Sequence, residues 1–331
     1  MSGQTSLPID QQREQQIIQW VENDLGYNDY SLKPASADAS FRRYFRLFDH
    51  INGDSKIIMD APPDKENSHP FIELAHLFFD IGLNVPRVYA QDFSAGFFLL
   101  SDLGVTDYLT VIKNETADQL YKDAIGSLIR LQTQPLGGLP DYDAFLLNRE
   151  MHLFPDWYLL KHKKIQLSQS QYQILLDTFA LLETSALSQP QVSVHRDYHS
   201  RNLMQTKHNN PGILDFQDAV FGPISYDLVS LLRDCYISWP QERITQWLRY
   251  YFDLANSHNL LKQVSYQQFE KWFDLMGLQR HLKAIGIFAR LNYRDAKPGY
   301  LNDIPRTLGY LKTVSQKYSE LADFHQLVSR L

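Results

Sequence analysis

Apolar residues recur at helical spacing at Ile17, Ile18, Val21 and Leu25, with Asp10 able to cap the start of that helix and Gly26 placed to end it. The pattern then turns to strands. Residues 35–40 are small and hydroxyl-bearing and predict a turn, and residues 41–48 and 56–60 predict two strands. Pro70 opens a second helix carrying Phe71, Leu74, Leu77, Phe78 and Ile81, closed by Gly82, after which residues 85–90 and 96–100 complete a small, mostly antiparallel sheet. Ser101-Asp102-Leu103-Gly104 breaks it. Beyond the break the period is helical: Ala117, Leu120, Ala124, Leu128 and Leu131 form one stripe, and Leu153, Trp157 and Leu160 another. Ile244, Trp247, Leu248, Tyr251 and Leu254, then Phe269, Trp272, Phe273 and Met276, form two more. The chain is predicted to be α+β and two-lobed, with a small sheet-based lobe over residues 1–103 and a larger, mainly helical lobe over 104–331.

One stretch departs from this alternation. Val192-Ser193-Val194 leads into the polar loop His195-Arg196-Asp197-Tyr198-His199-Ser200-Arg201-Asn202, the chain leaves through Leu203-Met204, and Ile213-Leu214 then delivers Asp215. A loop that doubles back brings the Asp197 carboxylate and the Asn202 amide into one pocket, and the neighbouring strand adds the Asp215 carboxylate. Phosphoryl transfer needs this inventory: a carboxylate to orient the acceptor hydroxyl and take its proton, and hard oxygen donors for magnesium on the phosphates. His195, Arg196, Asp197 and Asn202 complete the kinase pattern H-R-D-x-x-x-x-N. An ordinary charged turn is the competing account, disfavoured by the strand flanks and the second aspartate. No Ala-Pro-Glu occurs in the chain, and a new helix is expected soon after Asp215, which argues against a protein kinase.

Asp215-Phe216-Gln217-Asp218, Gly222-Pro223 and Tyr226-Asp227-Leu228-Val229 together resemble the aminoglycoside phosphotransferase family of small-molecule kinases. That resemblance implies a protein-kinase-like fold with a nucleotide-binding N-terminal lobe, ATP and Mg2+ as cofactors, Asp197 as catalytic base, Asn202 and Asp215 as metal ligands, and Asp227 as a brace for the loop. The segments 38–46, 59–63, 150–158, 195–202, 215–219, 227–236 and 289–295 look like the branch of that family that phosphorylates the anomeric hydroxyl of amino sugars, N-acetylmuramate and N-acetylglucosamine, in cell-wall recycling. Substrate contacts are then expected from Glu150, Asp156, Trp157, His199, Arg290 and Arg294.

The nucleotide side is less regular. Ser40 belongs to a run suited to lie over phosphates, or else to an ordinary hairpin. Where such kinases present a lysine to the phosphates, this chain has Met59 or Asp60, with Lys56 a strand-length earlier. Arg43 or Arg46, read as alternate residues of the preceding strand, are the substitute cations, unless both are simply solvated. Ser101, Asp102 and Leu103 are adenine-side candidates by position. Glu150, Asp156 and Trp157 mix charge with aromatic faces as a sugar site does, although Trp157 also fits a core stripe. Arg290 and Arg294, four apart on a helix, suit an anion or a pairing with Asp295.

A net charge of −6 and a pI near 6.0 argue against nucleic acid as a principal partner. One cysteine, Cys235 in an apolar pattern, excludes a disulfide framework and predicts packing rather than reactivity. With no leader-like or membrane-spanning run, the expectation is a cytoplasmic enzyme with no membrane or obligate protein partner. An antibiotic-modifying phosphotransferase and a non-catalytic nucleotide-binding regulator are the alternative functions.

Overall fold

The computed structural model describes residues 9–37, 41–134 and 136–331. Ser40 and the rest of the 38–40 turn lie outside them, as does the side chain of Asp10. Two compact units divide the chain: Met1–Asp80 with Asn84–Gly104, and Ile81–Leu83 with Val105–Leu331.

The first unit holds α1 (Ile9–Gln19), continued by a π-helical turn at Trp20–Asp24, and five antiparallel strands: β1 (Tyr30–Ala37), β2 (Arg43–Asp49), β3 (Asp54–Asp60), β4 (Val88–Asp92) and β5 (Phe97–Ser101). Their order is β1-β2-β3-β5-β4. Strand alternation points Phe45, Leu47, Ile58, Phe97 and Leu99 to one face, where they bury Ile17, Trp20 and Val21 of the N-terminal helix. A second helix, α2 (His69–Asp80), buries Phe71, Ile72, Leu74, Ala75 and Phe78. β1 is an addition to the predicted elements. Pro34 argues against a strand interior, but β1 is the sheet edge and the register slips between Pro34 and Ser36, so the missing donor is tolerated.

The second unit is mainly helical: α3 (Tyr108–Val111), α4 (Ala117–Gln132), α5 (Ala144–Met151), α6 (Gln169–Leu187), α7 (Tyr226–Leu232), α8 (Gln241–Ser257), α9 (Tyr266–Asp295), α10 (Ile304–Ser315) and α11 (Ala322–Ser329). Two short pairings carry the loops of interest, β6 (Gln191–Val194) with β9 (Val220–Pro223) and β7 (Leu203–Met204) with β8 (Gly212–Ile213). The predicted α4 stripe is buried throughout. The stripe at Leu153, Trp157 and Leu160 is not the buried one. Residues Phe154–His162 form a π-helix, whose wider turn moves burial to Phe154, Tyr158 and Leu159 and leaves Leu160 exposed. Trp157 packs partly buried against that core.

The 30-residue α9 is the axis of this core, buried on most sides from Phe269 to Ala289. Gly286 is what lets it meet the π-helical segment. A Cβ there would lie 2.4–2.5 Å from the backbone and Cβ of Leu153. Gly286→Ala is therefore expected to destabilise the protein by about 1–3 kcal/mol in chemical denaturation, the usual cost of overpacking against backbone. Cys235 is buried beside Arg280, and burial pushes its thiol pKa up.

Candidate active site

β6 ends at Val194, and the chain turns at once, with Arg196 in the left-handed region at φ +77°. A non-glycine residue held there costs on the order of 1 kcal/mol or more, so something must hold it. Asp227, fully buried in the first turn of α7, does so: its two carboxylate oxygens accept the amide N–H groups of His195 at 2.6 Å and Arg196 at 2.9 Å. Burial pushes this carboxyl up to about 7, with the two amides pulling against it. His195 is buried and neutral, its pKa lowered to about 4 by burial, and its Nδ1 accepts the Asp197 amide at 3.2 Å. The resemblance anticipated Asp227 as a brace, and this geometry is how it braces.

The rest of the loop is tied to itself and to the next hairpin. Asn202 donates its side-chain amide to the Asp197 carbonyl at 3.0 Å and to Asp215 Oδ2 at 3.2 Å. β7 and β8 pair Leu203 with Ile213, which brings Asn202 and Asp215 to the same end of the hairpin. Gln217 donates to the other Asp215 oxygen at 2.7 Å, and Asp215 itself is at φ +64°. With the Asn202 nitrogen committed to these bonds, its oxygen and the Asp215 carboxylate form a hard oxygen donor pair. Among the described residues no group of three or more His, Cys, Asp or Glu side chains could hold a metal ion. One carboxylate and one amide oxygen fit magnesium, which keeps several waters and takes further ligands from phosphates.

The Asp197 carboxylate accepts no hydrogen bond from any described residue, although the backbone on either side of it is braced. Burial raises its pKa, but Lys283 and then His199, His195 and Arg196 more than offset this, so it lies below the ordinary aspartate value. It is ionised at neutral pH and free to accept.

Glu150, expected at the sugar, is turned inward. Its Oε1 meets Arg196 Nη2 at 2.5 Å and Lys283 Nζ at 3.0 Å, and Oε2 accepts from Tyr142 and from Gln279. Lys283 also donates to the Tyr226 hydroxyl at 2.9 Å. Both Glu150 oxygens are engaged, so it acts as a strut beneath the loop, and Lys283 and Gln279 are residues the sequence pattern did not single out. Polar side chains inside an otherwise buried helix were the available signal. Asp156 is exposed, and His199 lies beside the loop with its ring edge-on to Tyr236 at 5.3 Å. Arg294 is exposed and paired with Asp295, while Arg290 Nε is buried without a partner.

In the first unit Arg43 and Arg46 prove not to be alternate. Three apart on β2, they point to opposite faces. Arg43 lies directly across from Asp60 and pairs with it at 2.7 Å, and Arg13 of α1 pairs with the other oxygen of the same carboxylate. Arg46 pairs with Asp102, which also accepts from Ser55 at 2.7 Å and from the Gly104 amide at 2.9 Å. Ser101 is used within the sheet as well, its hydroxyl accepting from the Arg87 amide at 2.9 Å, and Leu103 is half-buried. The side chains of Ser101 and Asp102 thus hold the sheet together.

Residues 31–260 match the profile of the phosphotransferase enzyme family, and the chain belongs to that family. Among its relatives it is 44% identical to the N-acetylmuramate/N-acetylglucosamine kinase of Pseudomonas putida, over 98% of both chains. It is 43% identical to that of Neisseria meningitidis, over 97% of this chain and 96% of the relative. Solved structures agree on the fold. A choline kinase from Streptococcus pneumoniae aligns with TM-score 0.63 at 13% identity, over 91% of this chain and 99% of that one. An ADP-bound aminoglycoside phosphotransferase aligns with TM-score 0.59 at 15% identity, over 89% and 97%. Among the described residues no helix is long and apolar enough to cross a membrane.

Proposed function

We propose that the protein transfers the γ-phosphoryl group of ATP to the anomeric hydroxyl of N-acetylmuramate or N-acetylglucosamine, giving a sugar 1-phosphate. The observation that carries the reaction class is the ionised Asp197 carboxylate, left without a hydrogen-bond donor in a loop whose backbone is held by Asp227 and Asn202. Asp197 accepts the hydroxyl proton and orients its oxygen. Asn202 and Asp215 hold magnesium, which when bound neutralises charge on the phosphates. A hemiacetal hydroxyl is more acidic than an ordinary alcohol, so an aspartate whose pKa is depressed is still an adequate acceptor. The substrate follows from the near-full-length relatives named for these two sugars. On the nucleotide side Arg43, held by Asp60, is the proposed cation in place of the missing lysine.

The product distinguishes this reaction from phosphorylation at another hydroxyl. Esterifying the anomeric oxygen removes the reducing end, whereas a 6-phosphate keeps it. Incubation of either sugar with ATP, magnesium and enzyme is expected to consume one reducing end per ADP formed, with phosphorus–carbon coupling at C1. ADP formation with reducing ends fully retained would refute the anomeric assignment and leave a kinase of another hydroxyl.

A further inference from the structure

N-acetylmuramate differs from N-acetylglucosamine by a lactyl ether that carries a carboxylate, so a protein using both has one site that meets a charged and a neutral form. We propose that Arg201, in the catalytic loop itself, is the residue that binds this carboxylate. The proposal rests on the sugar-kinase function above and names the group within it that reads the charge.

Arg201 is exposed, and its guanidinium carbon lies 3.8 Å from the centre of the Tyr236 ring and 5.9 Å from that of Tyr300. Among the described residues it has no carboxylate within ion-pair distance and makes no hydrogen bond. Arg201 stands four positions after Asp197 and, unlike Arg196, which is paired with Glu150, is thus a cation of the catalytic loop with no counter-charge. Stacking on Tyr236 fixes the plane of the guanidinium while leaving its N–H edge open, the arrangement in which an arginine takes a carboxylate bidentately.

The surroundings are built rather than incidental. Asp234 Oδ2 accepts the Ser200 amide at 2.9 Å and the Ser200 hydroxyl, and its Oδ1 accepts the Tyr236 amide at 2.9 Å. One carboxylate therefore ties the residue before Arg201 to the ring on which Arg201 lies. Tyr236 continues into Phe288 at 6.2 Å, which stacks on Tyr300 at 5.8 Å, and His199 meets Tyr236 on its edge with a buried Nδ1 that has no partner. Aromatic faces, one open ring nitrogen and a fixed guanidinium suit a sugar ring with an anionic substituent.

The arginine pair on α9 lacks this placement. At ~100° per residue, Arg290 and Arg294 lie about 200° and 240° around the helix from Phe288. Both therefore face away from Phe288, the α9 residue that meets Tyr236.

The test compares N-acetylmuramate with its lactyl amide, which keeps the shape and removes the charge. Wild-type enzyme is expected to favour the acid in kcat/KM by roughly 10- to 100-fold, the size of a hydrogen bond to a charged group. Arg201→Gln should bring the ratio close to unity, and Arg201→Lys should keep part of it, since charge remains while the fork is lost. A wild-type ratio near unity, a ratio untouched by Arg201→Gln, or a ratio lost in Arg290→Gln instead would each overturn the assignment. Wild-type enzyme inactive on both natural sugars would overturn the proposed function and this proposal together, so the two failures are separable.

Discussion

Asp197→Asn enzyme is expected to lose turnover by about 10²- to 10⁴-fold, the range typical of a positioned general base, while its affinity for magnesium nucleotide stays close to wild type. The substitution keeps the shape of the side chain and touches none of the loop's braces. Asn202 is bonded to the Asp197 carbonyl, and Asp227 holds the His195 and Arg196 amides, so the loop should keep its path. What changes is a carboxylate that no described residue hydrogen-bonds: an acceptor becomes in part a donor facing the sugar hydroxyl. Asp215→Asn differs in kind, weakening metal-dependent nucleotide binding first. Steady-state rates together with nucleotide titration separate the two, and Asp197→Asn activity within a few-fold of wild type would remove Asp197 from the chemistry.

The catalytic loop was legible because its chemistry is local. Asp197, Asn202 and Asp215 lie within one hairpin's reach, so their offsets alone imply one site. The nucleotide side was not, because Asp60 is completed by Arg13 from the N-terminal helix, 47 residues away, and no spacing rule joins them. Helical periodicity misplaced the 153–160 stripe where the chain widens to a π-helix, a change that the 3.6-residue rule cannot register. The same rule set Arg290 and Arg294 on one face correctly but could not say which way that face looks. Pro34 hid an edge strand, since a proline is excluded from strand interiors and not from edges.

Glu150 separates a structural from a substrate role, and Glu150→Gln is expected to cost about 3–5 kcal/mol of folding stability, the penalty for breaking a buried ion pair from one side. Burial raises the Glu150 pKa, but Lys283 and Arg196 outweigh it and hold the carboxyl below its ordinary range. A depressed carboxyl contributes stability that is complete above its unfolded value and lost as pH falls through the folded one, so the wild type should lose this part on acidification and the variant should not. In the variant, Arg196 and Lys283 keep their buried charges without a counter-charge. Adding Lys283→Met should restore part of the stability, because one of the two uncompensated cations is then gone. Activity is expected to fall as well, since Arg196 adjoins Asp197 and loses the carboxylate that fixes its guanidinium. A sugar ligand would behave otherwise: Glu150→Gln would then raise KM with the denaturation midpoint unchanged and no rescue by Lys283→Met. Urea unfolding of both variants beside their kinetics decides between the two, and a midpoint equal to wild type would sink the strut.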